Sequence, residues 1–336
     1  MIAHNSSYIF TRLVQKFFSE RLINQQNVSS KTVAAYRDTF RLLFQFIKKQ
    51  NGCSPSDLTL SNLNADLILD FLNYLEEKRG NCIRTRNARL AAIRAFFQFA
   101  ALEEPEEAAR VNRVLAIPMK RFDRPSVKYL SKEEINTLLS ALDKTTWIGR
   151  RDFAMFTTMY NTGARVSELI GICLKDVSFS QSSGSVSLHG KGRKERTIPL
   201  WKSTTAILKK WKREISDYPG SPMFPNANGR ELSRLGVEFR LRCSNKKAGV
   251  ICSSLRTKSV SPHVIRHTIA MHILHSGVDL SVIALWLGHE SIQTTHMYME
   301  ADLKTKEKAL SLINSPKNKS AKFKPKDKLL QFLEGL

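Results

Sequence analysis

The chain has 336 residues, 42% of them hydrophobic, enough to build cores in two domains and to exclude wholesale disorder. Lys and Arg number 53 against 30 Asp and Glu, a formal net charge of +23 that opposes compaction unless a polyanion neutralises it, and a nucleic-acid backbone is the commonest such partner. The five cysteines are odd in number and form no C-x-x-C pair, no apolar run approaches the ~18 residues of a membrane span, and the start lacks a long apolar leader. A disulfide framework, a cysteine zinc site and a membrane partner are therefore not expected, and a bacterial cytoplasm is.

In chain order, the first hundred residues read as helices. Ser29 and Ser30 can cap a helix whose Val33, Tyr36, Phe40, Leu43, Phe44 and Ile47 recur at steps of three and four, the period of one buried face. A second helix is expected from about Asn64 to Lys78, burying Leu67, Phe71 and Leu75 and stopped at Gly80. A third starts near Arg84 and carries Leu90, Ile93, Phe96, Phe97 and Phe99. Lys31, Arg37 and Arg41 on the first, and Arg84, Arg86, Arg89 and Arg94 on the third, are the candidate contacts to DNA phosphates. Any one such helix, taken alone, reads equally well as a solvated charged face. These helices make up a first domain at 1–108.

Beyond it the pattern loosens. Pro118 and Pro125, beside Lys120, Arg121 and Arg124, mark 109–128 as a linker. Ser131-Lys-Glu-Glu134 is a capping box announcing the helix of Ile135, Leu138 and Leu139, so a second, mostly helical domain is placed at 129–313. Within it Val186–Leu188 and Thr197–Leu200 are β-prone and flank the basic turn Gly190-Lys191-Gly192, a hairpin with a lysine at its tip. Residues 314–336 form a lysine-rich extension ending in Leu329, Leu330, Phe332 and Leu333.

The chemistry concentrates late in the chain. Ser261 can be an N-cap and Pro262 the first helical residue, which puts His263 and Arg266 on one face of a first turn. A helix N-terminus favours anions, so a histidine and an arginine there make a phosphate site containing a proton carrier. Gly277 ends that helix, Gly288 ends a shorter one, His289 follows, and Tyr298 lies two turns further on. Upstream, Thr162-Gly163-Ala-Arg165 supplies another arginine just past a glycine turn. His263 and His267, four apart, have a metal-compatible spacing, but no carboxylate is placed to complete a site, so no metal is expected.

The order Arg165, Lys191, His263-x-x-Arg266, Leu287-Gly288-His289, Tyr298 resembles the tyrosine recombinases, the phage-integrase and Xer-type family. "NTGARVSELIGI", "HGKGRKERTIPL", "SPHVIRHTIAMHIL" and "LWLGHESIQTTHMY" are similar to its boxes, and "TVAAYRDTFRLLFQF" with "RTRNARLAAIRAFFQFA" to its core-binding domain, so the resemblance spans roughly residues 10–312. It implies a SAM-like helical core-binding domain joined to a mainly α catalytic domain with a small β-hairpin, the two gripping DNA as a clamp. It also implies a chemistry. Tyr298 would attack a scissile phosphodiester and form a 3′-phosphotyrosine, keeping the bond energy for rejoining, so that neither ATP nor another cofactor is needed. Arg165 and Arg266 would clamp the phosphate, His263 would serve as acid–base partner, Lys191 would protonate the leaving 5′ oxygen, and His289 would hydrogen-bond the phosphate. Glu168 and His267 would be structural support.

By the same resemblance the partners are double-stranded DNA with a specific core site, a homotetramer on that DNA passing through a Holliday junction, and accessory DNA-bending or partner recombinase proteins. Either Leu303–Ile313 or Leu329–Leu333 would dock onto a neighbouring subunit. Trp286 stands where a smaller apolar residue is common, and Glu300 where many members have a histidine; neither removes a catalytic group. The expected role is integration, excision or transposition of a mobile element, in a nucleoid-associated protein. Chromosome-dimer resolution, a type IB topoisomerase and a DNA-binding factor without catalysis are the rival readings.

Overall fold

A computed structural model of the chain describes residues 2–123, 127–181, 183–190, 195–289, 295 and 298. Lys191 with the rest of the hairpin tip, the segments Leu303–Ile313 and Leu329–Leu333, and the extension at 314–336 lie outside the described residues. The chain divides into two compact units, Met1–Arg124 and Pro125–Leu336.

The first unit is all helical. Helix α1 (Ile2–Lys16) continues into a π-helical stretch at Phe17–Gln25, and the chain turns at Asn27, whose φ is +46°. Helix α2 (Ser30–Asn51) begins where its cap predicts: Ser29 Oγ accepts the Thr32 N–H at 3.2 Å, and Gly52 in the left-handed region closes the far end. Helix α3 (Ala65–Glu77) is capped by Asn64, and α4 (Ile83–Glu103) follows. Phe96 of α4 is the hub of the core. It meets Phe10, Phe17, Phe40 and Phe97 edge-to-face at 5.2–6.1 Å, contacts of roughly 0.5–1.5 kcal/mol each beyond the area they bury.

Two expectations are corrected here. The stretch read as a linker contains helix α5 (Ala108–Leu115), which seals this core with Val111 and Val114. Arg86, expected to face DNA, is 3% exposed; its Nη1 donates to the Pro118 carbonyl at 3.3 Å and its Nε lies 3.6 Å from Glu76. Buried on α4, it staples the end of the unit to the helix. Arg37, Arg41 and Lys31 are exposed, as is Arg84, while Arg89 and Arg94 are half-buried.

The second unit opens with α6 (Lys132–Ser140), whose capping box is complete: the Ser131 N–H donates to Glu134 and the Glu134 N–H to Ser131 Oγ. Helices α7 (Trp147–Thr162) and, later, α11 (Pro262–His275) pack together and are buried on most faces, forming the middle of the unit. Between them come the short α8 (Val166–Ile170), an antiparallel sheet of β1 (Val177–Phe179), β2 (Gly184–His189) and β3 (Glu195–Leu200) in that order, then α9 (Lys202–Lys212) and α10 (Arg234–Ile251). The register pairs Val186 with Ile198 and His189 with Glu195, so the expected hairpin forms and gains a third strand. Pro199 sits on the edge strand β3, where its missing N–H interrupts no interior ladder. Helix α12 (Leu280–Leu287) is capped by Asp279 and ends on Gly288. Among the described residues no helix is long and apolar enough to cross a membrane.

Candidate active site

The site is built at the ends of short elements. Helix α7 stops at Gly163, whose φ of +62° only glycine adopts freely and where a Cβ would lie 2.6 Å from the Leu287 side chain. Two residues on, Arg165 is the N-cap of α8, with its N–H donating to Glu168 Oε2 and its Nη1 to Glu168 Oε1 at 2.8 and 2.7 Å. Ser261 Oγ accepts the Val264 N–H at the start of α11, and Pro262 takes the first helical position, as the sequence predicts. Arg266 and His267 ride on the second turn of that helix.

The C-terminus of α12 organises the cations. A helix ends with unsatisfied carbonyls and a partial negative charge. Here the Gly288 and His289 N–H groups satisfy Leu285 and Ala284, and three successive carbonyls beyond them are each taken by a different arginine. Arg196 Nε donates to Trp286 O at 3.0 Å, Arg266 Nη2 to Leu287 O at 2.7 Å, and Arg165 Nη2 to Gly288 O at 3.2 Å. Arg266 also donates from Nη1 to Gly163 O at 2.6 Å, so it ties together the ends of α7 and α12. It is 4% exposed, and burial, with Arg165 next, pulls its pKa down to about 10, still leaving it charged. Arg165 is the open member of the set, with 37% of its side chain exposed.

Glu168 balances this charge from beneath. It accepts from Arg165 and, through both oxygens, from Arg196 Nη1 and Nη2 at 3.1 and 2.8 Å. Burial pushes its carboxyl up, but the bonds from Arg196 and Arg165 win and hold it down at about 2.

Tyr298 is 1% exposed and belongs to the apolar cluster of Ala270, Met271, Leu274, Ile283 and Leu287. Its oxygen shares a 2.9 Å hydrogen bond with Nδ1 of His267, and its ring stacks on that of His289 at 6.3 Å. Burial raises the phenol to about 12, against the pull of Arg266 and Arg165. Burial followed by the nearby Arg266 brings His289 to about 4, and burial followed by His263 does the same for His267. His263 is lowered too, by burial first and then by Arg266 and Arg165. The imidazoles are therefore neutral at physiological pH, and among the described residues the positive charge of the site resides on its guanidinium groups.

The structure thus brings Arg165, His263, Arg266, His289 and Tyr298 into one electrostatic neighbourhood, with Lys191 outside the described residues. It adds two things sequence reasoning missed. His267, given a background role, is the residue that touches the phenol, whereas the ring contact of His263 is with His267 at 6.5 Å. Arg196 makes three bonds at the centre of the site. Its only signal in the sequence was its place two residues beyond Lys194 in the basic hairpin. The rings of His263 and His267, four residues apart, are stacked on one another.

Residues 128–305 match the profile described as the phage integrase family, and residues 15–104 that of the phage integrase N-terminal SAM-like domain. The chain belongs to the phage integrase family. As a tyrosine recombinase it cleaves and rejoins DNA. The tyrosine recombinase chain is 44% identical over 324 residues to a Sinorhizobium fredii protein named "Putative integrase/recombinase y4rC", covering 96% of this chain and 97% of the relative. It is 32% identical over 298 residues to the tyrosine recombinase XerD of Pasteurella multocida, covering 85% and 92%. The fold matches that of the XerH site-specific recombinase, solved bound to palindromic difH substrate as a post-cleavage complex, with a TM-score of 0.68 at 20% identity over 85% of this chain and 81% of that one.

Proposed function

We propose that this recombinase cuts one strand of a specific core site with Tyr298 and serves the integration, excision or transposition of a mobile element. The observation that carries the residue assignment is the Tyr298 phenol, seated against His267 and His289 within the field of Arg266 and Arg165. Tyr298 Oη attacks phosphorus, the P–O5′ bond breaks, and the 5′ oxygen takes a proton from Lys191. Arg165, the exposed guanidinium, binds the non-bridging oxygens first, and Arg266 supports them from below. A phenol held at about 12 attacks poorly unless a base takes its proton, and a neutral histidine is that base. His267 stands at the phenol, 2.9 Å from its oxygen, and His263, stacked on His267, is the acid–base partner.

The mobile-element role rests on the 44% identity to a protein named as an integrase/recombinase, which exceeds the 32% to the XerD relative. The DNA partner follows from the family and the net charge of +23. Four copies on two sites, with accessory proteins, complete the reaction in a cytoplasmic, nucleoid-associated protein.

Covalent capture tests this reading. Purified protein is mixed with sheared source DNA at low salt and denatured, and the DNA that stays attached is sequenced, with Tyr298→Phe in parallel. Wild-type protein retaining one recurrent sequence while Tyr298→Phe retains none assigns the nucleophile and reads the site. Recurrent ends that map to the borders of one element place the protein there; ends at a single chromosomal locus place it in dimer resolution. Retention by neither protein, although both bind DNA, overturns the catalytic assignment.

A further inference from the structure

We propose that Arg196 is a positioning residue for DNA cleavage: it sets strand β3, and with it the hairpin whose sequence carries Lys191, in register with the phosphate-clamping end of the site. The inference rests on the proposed roles of Tyr298 and Lys191.

Arg196 is the second residue of β3, five positions after Lys191. Its guanidinium faces both oxygens of Glu168 in a two-pronged pair, and its Nε reaches the Trp286 carbonyl. One side chain thereby joins three elements: the strand that leaves the hairpin, the helix that begins at Arg165, and the helix end that precedes His289. The planar fork of an arginine makes such a three-way bond in a single geometry, which a lysine cannot copy. Gly288 is shaped around it, because a Cβ there would lie 2.8 Å from Arg196 Nη1. The opposite face of β3 is held separately. His189 Nδ1 lies 2.9 Å from Glu195 and its Nε2 3.1 Å from Asp176, which closes the base of the hairpin across all three strands. Arg165 has bonds of its own to Glu168 and Gly288, separate from those of Arg196. Asn161 of α7 also reaches β3, at the Pro199 carbonyl, but Arg196 is the β3 side chain that bonds both Glu168 and the end of α12.

The chemistry of the leaving group makes this testable. When the P–O5′ bond breaks, the electron pair goes to oxygen, which must gain a proton. With sulfur at that bridging position the pair leaves as a thiolate and no proton is required. A residue that places the lysine hairpin therefore matters for the oxygen substrate and much less for the sulfur one. A residue that merely supports the fold or the phosphate clamp matters equally for both.

Cleavage is measured for wild type, Arg196→Gln and Arg196→Lys on the captured site, made with either oxygen or sulfur at the bridging 5′ position, and DNA affinity and the unfolding midpoint are recorded for each. Arg196→Gln is expected to cut the oxygen substrate about 100-fold more slowly, the lower range for a misplaced proton donor, with Arg196→Lys in between. On the sulfur substrate both variants should return to within about threefold of wild type at unchanged affinity, as removal of the proton step demands. Equal deficits on both substrates, or no deficit on either, overturn the inference. A folding defect in Arg196→Gln gives equal deficits and lowers the midpoint, and Arg196→Lys, which keeps the charge beside Glu168, then decides by the same comparison. Wild type that cleaves neither DNA sinks the functional reading and this inference with it, whereas wild type that cleaves both leaves the functional reading intact whatever the variants do.

Discussion

Glu168 carries more of the site than its anionic character alone conveys. Among the described residues it is the one carboxylate bonded to Arg165 and Arg196, and its side chain is buried. Removing its charge leaves two guanidinium groups facing a neutral amide, and breaking such a buried pair costs ~3 kcal/mol or more. Glu168→Gln should therefore lower the unfolding free energy of the catalytic unit by that amount, seen as a lower urea midpoint at unchanged m, and an unchanged midpoint would show that the arginines find other partners. The acid limb has a defined sign. A carboxyl held at about 2 against an ordinary 4.5 gives stability that is complete above pH 4.5 and is lost as the pH falls toward 2. The histidines act in a higher window. His267 and His289, lowered from 6.5 to about 4, bind fewer protons folded than unfolded, so their contribution is complete above pH 6.5 and falls away between 6.5 and 4. The urea midpoint should decline across that interval, more gently in His267→Gln. A flat midpoint from pH 7 to 4.5 would mean that these rings are not buried as neutral imidazoles.

At the scale of elements, the glycines that end α7 and α12 do different work from the one that ends α11. Gly277 and Gly288 both have positive φ, but a Cβ at Gly277 meets nothing within 4 Å, whereas at Gly288 it meets Arg196. Gly277→Ala should lose roughly 1–3 kcal/mol, the conformational cost of a left-handed alanine. Gly288→Ala should lose that and more, and should also slow DNA cleavage as Arg196→Gln does. Equal losses would remove the case for a shaped contact.

This distinction shows what a sequence discloses. Caps and stops are local, so Ser29, Asn64, Ser131, Ser261, Gly80 and Gly288 were readable from neighbours a few residues away, and the helices they bound appear where expected. The cation set was readable because it travels in compact motifs. The contacts of Arg196 and His267 were not, since their partners lie 28, 90 and 31 residues distant and only the fold brings them together. Arg86 misled for the same reason: an arginine among arginines on α4 reads as surface until the Pro118 carbonyl closes over it. Helix α5 was hidden by Pro105 and Pro118, which flank it and give a short helix the look of a linker.

For the whole molecule the question is which cations of the +23 surplus meet DNA. Burial sorts them before any complex is seen. Lys31, Arg37 and Arg41 lie exposed on α2, and Asp38, 3.6 and 4.0 Å from Arg37 and Arg41, is too loosely held to compete with a phosphate. Arg86 is committed inside the unit. Each phosphate neutralised releases about one counterion, so affinity falls with salt at a slope that counts contacts. Arg37→Ala combined with Arg41→Ala should weaken binding to every DNA sequence alike and reduce the salt slope by about 2, one for each charge removed. Arg86→Ala should leave the slope unchanged and lower the unfolding midpoint of the first unit instead, because it strands the Pro118 carbonyl and leaves Glu76 with Lys120 as its cation. Binding titrations of the full-length protein across a salt series, paired with unfolding curves, read both quantities. A change of slope in Arg86→Ala without loss of stability would mean that the charge closing the first unit is itself a DNA contact, and that burial is the wrong criterion for choosing among the cations of this chain.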